Sequence, residues 1–361
     1  MNLSRQRGPS MAATTRVPVA TARDIASRAL RRFGTPAETA DVVVARLLDA
    51  DLDGHPSHGV LRIPQYCKEI TAGVIAPQSR PRATRRSTTV WTVDGRRAFG
   101  ALVADEVIAT AVRTEAGDDP RAIGVRNSGH LGRLGYLARG IARNGHVAIG
   151  FFNCSGGGQK VMPVGGASGR LATNPIIFGC PTSDGRPVVV DVTTSASTDG
   201  RVQLAAALGE TLPNGILADP EGRAVNDATR SQARPPGAFL LPLGGVAAHK
   251  GYALAVAVEI LAGILGGPDS VAQAVRGSGN SGILLVLAPT MLGRSIDEVG
   301  ADIAALETYL RSCSADDRQP VRLPGRRPDS SASASPDRSH VRVPAPVWDS
   351  ITRLGRADRS S

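Results

Sequence analysis

The chain has 361 residues, 42% of them hydrophobic and 3% aromatic, with a formal net charge of +10. That length and apolar content suit one large domain or two smaller ones around a sizeable core. The positive excess gathers at the ends, with Arg5, Arg7 and Arg16 unopposed by any acid and nine Arg against four Asp over residues 318–361; together with so few aromatics for base stacking, this argues against nucleic acid as the partner.

Residues 1–16 form a basic tail expected to be disordered, and they lack the apolar centre of a secretory signal. No run approaches the roughly 20 apolar residues of a bilayer span, so neither a membrane nor an export route is expected and cytoplasmic placement is the default. Thr21-Ala-Arg-Asp24 opens an apolar-periodic run to Phe33, closed by Gly34. Thr35-Pro-Ala-Glu38 then reads as a capping box, and a second helix runs to about Leu52. The stretch DGHPSHGVLRIP (53–64) lies just beyond that helix, with Pro56 between His55 and His58, so the two imidazoles are not one helical turn apart.

From about Trp91 short apolar runs alternate with helical patterns. RAIGVRN, GHVAIGFFN, NPIIFGCPT, RPVVVDVTT and GILLVLAP are strand candidates, and helices are expected over roughly 100–116, 133–143, 249–265 and 296–312. The pattern is α/β. Residues 328–340, rich in Ser, Pro and Arg, read as a flexible excursion before a last short element, VWDSITRLG.

Several motifs fail on context. Gly277-Ser-Gly-Asn-Ser-Gly282 matches G-x-G-x-x-G, but a helical pattern precedes it and a strand follows, the reverse of a dinucleotide fingerprint, so it reads as a connecting loop. No Walker sequence and no G-x-S-x-G elbow occurs. His55 and His58 lack a carboxylate or cysteine set at ligand spacing, so no metal is expected. Cys67, Cys154, Cys180 and Cys313 are scattered and read as reduced, buried thiols.

Five stretches stand in order: SHGVLRIPQY (57–66), NSGHLGRLGY (127–136), LATNPIIFGCP (171–181), VVVDVTTS (188–195) and HKGYALA (249–255), with a weaker sixth, VRLPGRR (321–327). Together they resemble the malate/L-lactate dehydrogenase family that is distinct from the Rossmann-type enzymes, over about residues 17–356. The resemblance implies a mixed sheet flanked by helices. A helical part over 17–80 would carry the catalytic loop and be joined by 296–361, and an α/β unit would occupy 81–295. It also implies a homodimer that uses NAD or NADP on a small 2-hydroxy or 2-oxo acid. Two rivals stay open: a reductase of cyclic 2-imino acids, and a catalytically silent relative kept as a binding protein.

Carried over residue by residue, the resemblance makes His58 the acid–base group. Imidazole titrates near neutrality and can give a proton to a reduced ketone oxygen and recover it in reverse. Arg62 matches the arginine of H-G-x-x-R, and its planar fork suits bidentate capture of a substrate carboxylate; the alternative is a surface arginine paired with an acid. Asp191 follows an apolar run and is read as orienting His58, as bonding the nicotinamide-side ribose or amide, or as a strand-end carboxylate satisfied by backbone. Val190, Val192, Thr193 and Gly325 are expected along the cofactor, with His249 and Lys250 at its phosphates or ribose. His130 and Asn174 are placed beside the nicotinamide and in a bracing turn. Arg326 departs from the glutamate common after Pro-Gly, and its guanidinium could favour a 2′-phosphate.

Overall fold

The computed structural model describes residues 14–113, 119–155, 159–267, 270–272, 279–315, 320–326 and 338–356. The expected basic tail and the Ser/Pro-rich excursion therefore fall largely outside the described residues. Their inner ends do not: Thr14–Pro18 is strand β1, and His340 begins another strand.

The first layer is helical. Val19–Arg32 (α1), Ala37–Leu52 (α2) and Ile63–Thr71 (α3) pack together. Along α2 the positions Ala40, Val43, Val44, Leu47 and Leu48 recur at helical spacing, and each is at most 3% exposed, which is the amphipathic pattern that drives a helix against a core. The capping box expected at Thr35 does not form. Pro36 takes the N-cap position with an extended backbone and no side-chain cap, and the Thr35 Oγ1 is buried without a hydrogen-bond partner.

A seven-stranded mixed sheet follows. Its strands are Arg82–Arg85 (β2), Val90–Asp94 (β3), Arg121–Ser128 (β4), Val147–Ser155 (β5), Ile176–Cys180 (β6), Val188–Val192 (β7) and, much later in the chain, Gly279–Leu287. Between them lie helices Gly100–Ala111 (α4) and Gly135–Arg143 (α5). Period-two alternation sends Ile123, Val125, Ala148, Phe152 and Leu284 to one face, where they meet Val103, Val107, Leu137 and Ile141 of α4 and α5 in one core.

After β7 come Asp199–Leu208 (α6), then Leu217–Ala218 (β8), Ala224–Val225 (β9), Thr229–Gln232 (α7), Phe239–Leu240 (β10) and Ala248–Val258 (α8). β8, β9 and β10 make a small sheet of their own over a separate apolar cluster that includes Val202, Leu217 and Leu240. Gly279–Leu287 (β11) then enters the large sheet, whose order is β2-β3-β4-β11-β5-β6-β7; only β3 and β4 run parallel. Gly279 to Gly282 belong to this strand, so the described part of the glycine-rich motif is sheet and not loop.

Ile296–Arg311 (α9) carries the capping box that went unforeseen, with Ser295 and Glu298 bonding reciprocally. His340–Pro344 (β12) pairs antiparallel with β1, and Ala345–Gly355 (α10) packs on α1, so the chain's last described elements close the first helical layer. α9 seats Gly300 against Ser183.

The helical stretch Gly245–Leu265 corrects one expectation. At 21 residues it is long and apolar enough, by length and composition alone, to cross a bilayer. Here it continues from α8 into a π-helical segment, Glu259–Leu265, whose Glu259, Ala262 and Gly263 are buried against β5 and β11. Glu259 accepts from the Val271 N–H at 2.8 Å and from Asn153 and Asn174 side chains at 3.2 and 3.1 Å, which satisfies a carboxylate within the packing. The four cysteines are free; Cys67 is buried as expected, whereas Cys313 is exposed.

Candidate active site

The loop after α2 is two successive 3-10 turns, Pro56–His58 and Val60–Arg62, hinged at Gly59. Pro56 opens the first turn, where its missing N–H costs nothing. The His58 N–H closes on the His55 carbonyl at 2.9 Å and the Arg62 N–H on Gly59 at 3.0 Å. Arg62 then folds back, and its Nε donates to the Ser57 carbonyl at 2.8 Å. The glycines and prolines of this stretch thus hold an imidazole and a guanidinium on one short, cross-braced segment.

That segment forms one wall of a cleft of about 1520 Å³, larger than the roughly 300–1,000 Å³ of a typical ligand pocket. The cleft is also lined by β7, the start of α6, the N-terminal end of α5 and the Pro324–Gly325 turn. Val190, Asp191, Val192 and Thr193 line it, with Gly325 beside them. Gly325 sits at φ +77°, and a Cβ there would lie 2.7 Å from the Val189 Cβ, so only glycine lets this turn lie against β7.

His58 and His130 stack inside the cleft, ring centroids 5.9 Å apart and 12° from parallel. The His58 Nδ1 is 3.0 Å from the Ser57 Oγ, and the His130 Nδ1 is 3.0 Å from the Tyr66 hydroxyl. Burial, followed by the Arg62, His55 and Arg133 charges, pushes His58 down to about 3. Burial and the same Arg62 charge depress His130 well below its ordinary value. Both rings are therefore neutral at pH 7. This has a stability consequence whose sign is fixed: the unfolded chain, with His near 6.5, takes up protons that the folded chain refuses, so acid destabilises the fold. The His58→Gln variant should gain on the wild type by about 2–3 kcal/mol as pH falls from 6.5 to 4, read from paired thermal melts. A pH-independent gap would contradict the neutral imidazole.

Arg62 is only 5% exposed and already engaged. Its Nη1 donates to Gln65 at 2.7 Å and to Gln203 at 3.3 Å, and Gln203 in turn donates to Asp199 at 2.6 Å. With Nε on Ser57 and Nη1 on the two glutamines, two of the three guanidinium nitrogens are committed within the protein, and Nη2 alone is left uncommitted. Nη2 approaches Gly200 of α6 so closely that a Cβ there would lie 2.3 Å away.

Asp191 does not pair with His58. Its Oδ2 accepts the Gly135 N–H at 2.7 Å, capping the start of α5, the arrangement that a helix N-terminus favours. Burial raises its pKa, against the Gly135 bond and the Arg133 charge. Asn174 is also not in the cleft: fully buried at φ +39°, it donates to the Ala255 carbonyl at 2.9 Å and to Glu259, bracing α8 behind the wall. His249 and Lys250 are exposed and line no part of the cleft; they stand beside Gly251, which packs on the backbone of the cleft residue Leu243.

Arg326, whose guanidinium could favour a 2′-phosphate, is engaged within the protein. It is paired with Asp184 at 2.6 Å and Glu307 at 3.1 Å and donates to the Arg186 carbonyl at 2.8 Å, tying the Pro324–Gly325 turn and α9 to the end of the sheet. The cleft's own cations lie elsewhere. Arg133 and Arg139 share Asp53 at 2.6 and 3.2 Å, with Arg338 at 3.6 Å; burial lifts Asp53, but the two closer guanidiniums outweigh it and hold its carboxyl low.

Sequence reasoning missed Tyr66, Gln65, Gln203, Gly200 and Asn280. Tyr66 could have been found, since it lies one helical turn beyond Arg62 on the same face. Asn280, from the discounted glycine-rich motif, reaches the cleft and accepts the Leu131 N–H at 2.8 Å. Gln203 and Gly200 arrive from α6 with no local signal.

A nicotinamide dinucleotide fits this cleft on three grounds. The volume exceeds what a small acid needs, the β7 wall offers Val190 and Val192 as an apolar surface, and the lining carries ten Arg and Lys side chains against four Asp, an excess that suits a pyrophosphate.

The malate/L-lactate dehydrogenase family model matches residues 17–352. The chain is 31% identical to an L-lactate dehydrogenase of Cupriavidus necator over 95% of this chain and 97% of that one. It is 33% identical to a delta(1)-pyrroline-2-carboxylate/delta(1)-piperideine-2-carboxylate reductase of Pseudomonas putida over 72% of this chain and 73% of that one. A crystal structure of a dehydrogenase from Sinorhizobium meliloti superposes with a TM-score of 0.81 at 28% identity, covering 96% of this chain and all of the other.

Proposed function

Because the chain belongs to the malate/L-lactate dehydrogenase family, we propose that its cleft transfers a hydride reversibly between a nicotinamide dinucleotide, NAD or NADP, and a small 2-hydroxy or 2-oxo acid. The observation that carries this reading is the placement of the His58 ring and the Arg62 guanidinium on one braced loop that lines the same cleft as Val190–Thr193. When bound, the nicotinamide supplies or accepts the hydride. Val190, Val192, Thr193 and Gly325 would hold it, with Asp191 fixing the start of α5 beside it.

The chain's own residues do the rest. The Arg62 Nη2 takes the substrate carboxylate, which sets the 2-carbon relative to His58. In the oxidation direction the neutral His58 accepts the hydroxyl proton as the hydride leaves. In reduction a protonated His58 must donate that proton, and the bound carboxylate favours this form because it offsets the Arg62 charge that depresses the ring. Tyr66 and His130 form the second polar wall over the reacting oxygen.

In this reading the working form is a cytoplasmic homodimer. The stretch Gly245–Leu265 leaves Val246, Leu254, Ile260, Ile264 and Leu265 exposed, a strip that a second copy would cover.

A second reading has one observation in its favour. A cyclic 2-imino acid brings its own proton as an iminium, and two neutral imidazoles accept such a cation without repulsion. Initial rates with NADH and NADPH against a panel of 2-oxo acids and a cyclic imino acid, followed at the nicotinamide absorbance, separate the two. Turnover of a 2-oxo acid at the higher kcat/KM supports the first. Turnover of the imine alone supports the second, and neither cofactor binding in calorimetry would leave a silent relative.

A further inference from the structure

Asp51 stands in the last turn of α2 and takes no part in the chemistry above. Its Oδ2 accepts the Val60 N–H at 2.8 Å. That N–H opens the second 3-10 turn, where a first-turn donor has no partner of its own along the chain. Asp51 therefore caps the turn from outside, across the loop.

The neighbouring residue shows how tight the contact is. A Cβ on Gly59 would lie 1.8 Å from the Asp51 Oδ1 and 2.1 Å from its Cγ. Gly59 has φ −89° and ψ −156°, a conformation open to any residue. Glycine is required here by the carboxyl and not by the backbone. The carboxyl thus fills the hinge between the turn that carries His58 and the turn that carries Arg62.

Burial pushes Asp51 up to about 7, against the Val60 bond. The fold thus tolerates the cost of a buried carboxyl at this hinge. We propose that Asp51 is a positioning residue, whose carboxyl sets the angle between the His58 turn and the Arg62 turn so that both side chains meet one substrate. This rests on the roles given above to His58 and Arg62.

Three variants test it. Asp51→Ala removes the acceptor and empties the hinge, Gly59→Ala drives a methyl into the carboxyl, and Asp51→Asn keeps both shape and an acceptor oxygen. Asp51→Ala and Gly59→Ala should each lower kcat on the best 2-oxo acid by roughly 10- to 100-fold, since misplacement by about 1 Å can cost a hundredfold. Dinucleotide affinity, read by nicotinamide fluorescence, should stay within about twofold, and Asp51→Asn should recover most of kcat. A second readout needs no turnover: the ring resonances of His58 in protein labelled with ¹⁵N-histidine should move in the first two variants and stay in Asp51→Asn. Unmoved resonances, unchanged kcat in Asp51→Ala, or equal losses in Asp51→Ala and Asp51→Asn would overturn the proposal. If the wild type turned over no acid or imine, the functional reading would fall while the resonance test still stood.

Discussion

His58→Ala should lose about two to four orders of magnitude in kcat and leave dinucleotide affinity within about twofold, the pattern of a lost acid–base group rather than a lost binding contact. Steady-state kinetics beside fluorescence titration of the cofactor measure both. The imidazole is stacked on His130 and braced by Ser57, so its removal leaves a small void rather than a collapsed loop. Activity within about tenfold of the wild type would assign the proton to another group, and Tyr66 would be the next to test.

Arg62→Ala should act on both kinetic constants. Loss of the clamp raises KM for the acid, and the stranded Gln65, Gln203 and Ser57 carbonyl let the loop relax, which lowers kcat; kcat/KM should fall by about 10³-fold or more. Arg62→Lys should recover little, because an ammonium cannot bond the Ser57 carbonyl, the two glutamines and a carboxylate together in one plane. Kinetics on the same acid check both variants. Near-complete rescue by lysine would mean that Arg62 supplies only charge.

The parts of this fold that were legible in the sequence are those whose cause is local. The large-sheet strands β4 to β7 and β11 announce themselves through apolar runs, because both faces of the sheet are covered at least in part. The pairing of β1 with β12 is not legible, since two short strands at opposite ends of the chain carry no local mark of their partner. The same holds in the site. His58, Arg62 and Tyr66 share one short stretch and could be read together, whereas Gln203 and Gly200 reach Arg62 only through the placement of α6.

Two residues found partners that only the fold supplies. Asp191 at the end of a valine run leaves three roles open in the sequence, and the fold takes the backbone one, because the N–H at the start of α5 is a strong claim on a carboxylate. Arg326 was offered to a phosphate, but Asp184 and Glu307 surround it first. Charge counted along a sequence says nothing of which opposite charge the fold brings beside it.

The central claim is that a hydride crosses the cleft to the 2-carbon of an acid held between His58 and Arg62. Reduction of the preferred 2-oxo acid with NADH and with NADPH deuterated at the transferable C4 position, followed by mass spectrometry of the product, tests it directly. Deuterium should appear at carbon 2 of the hydroxy acid with one or both cofactors, and the yield should collapse in His58→Ala and Arg62→Ala. Absence of deuterium from every 2-oxo acid offered, or undiminished transfer in both variants, would contradict it.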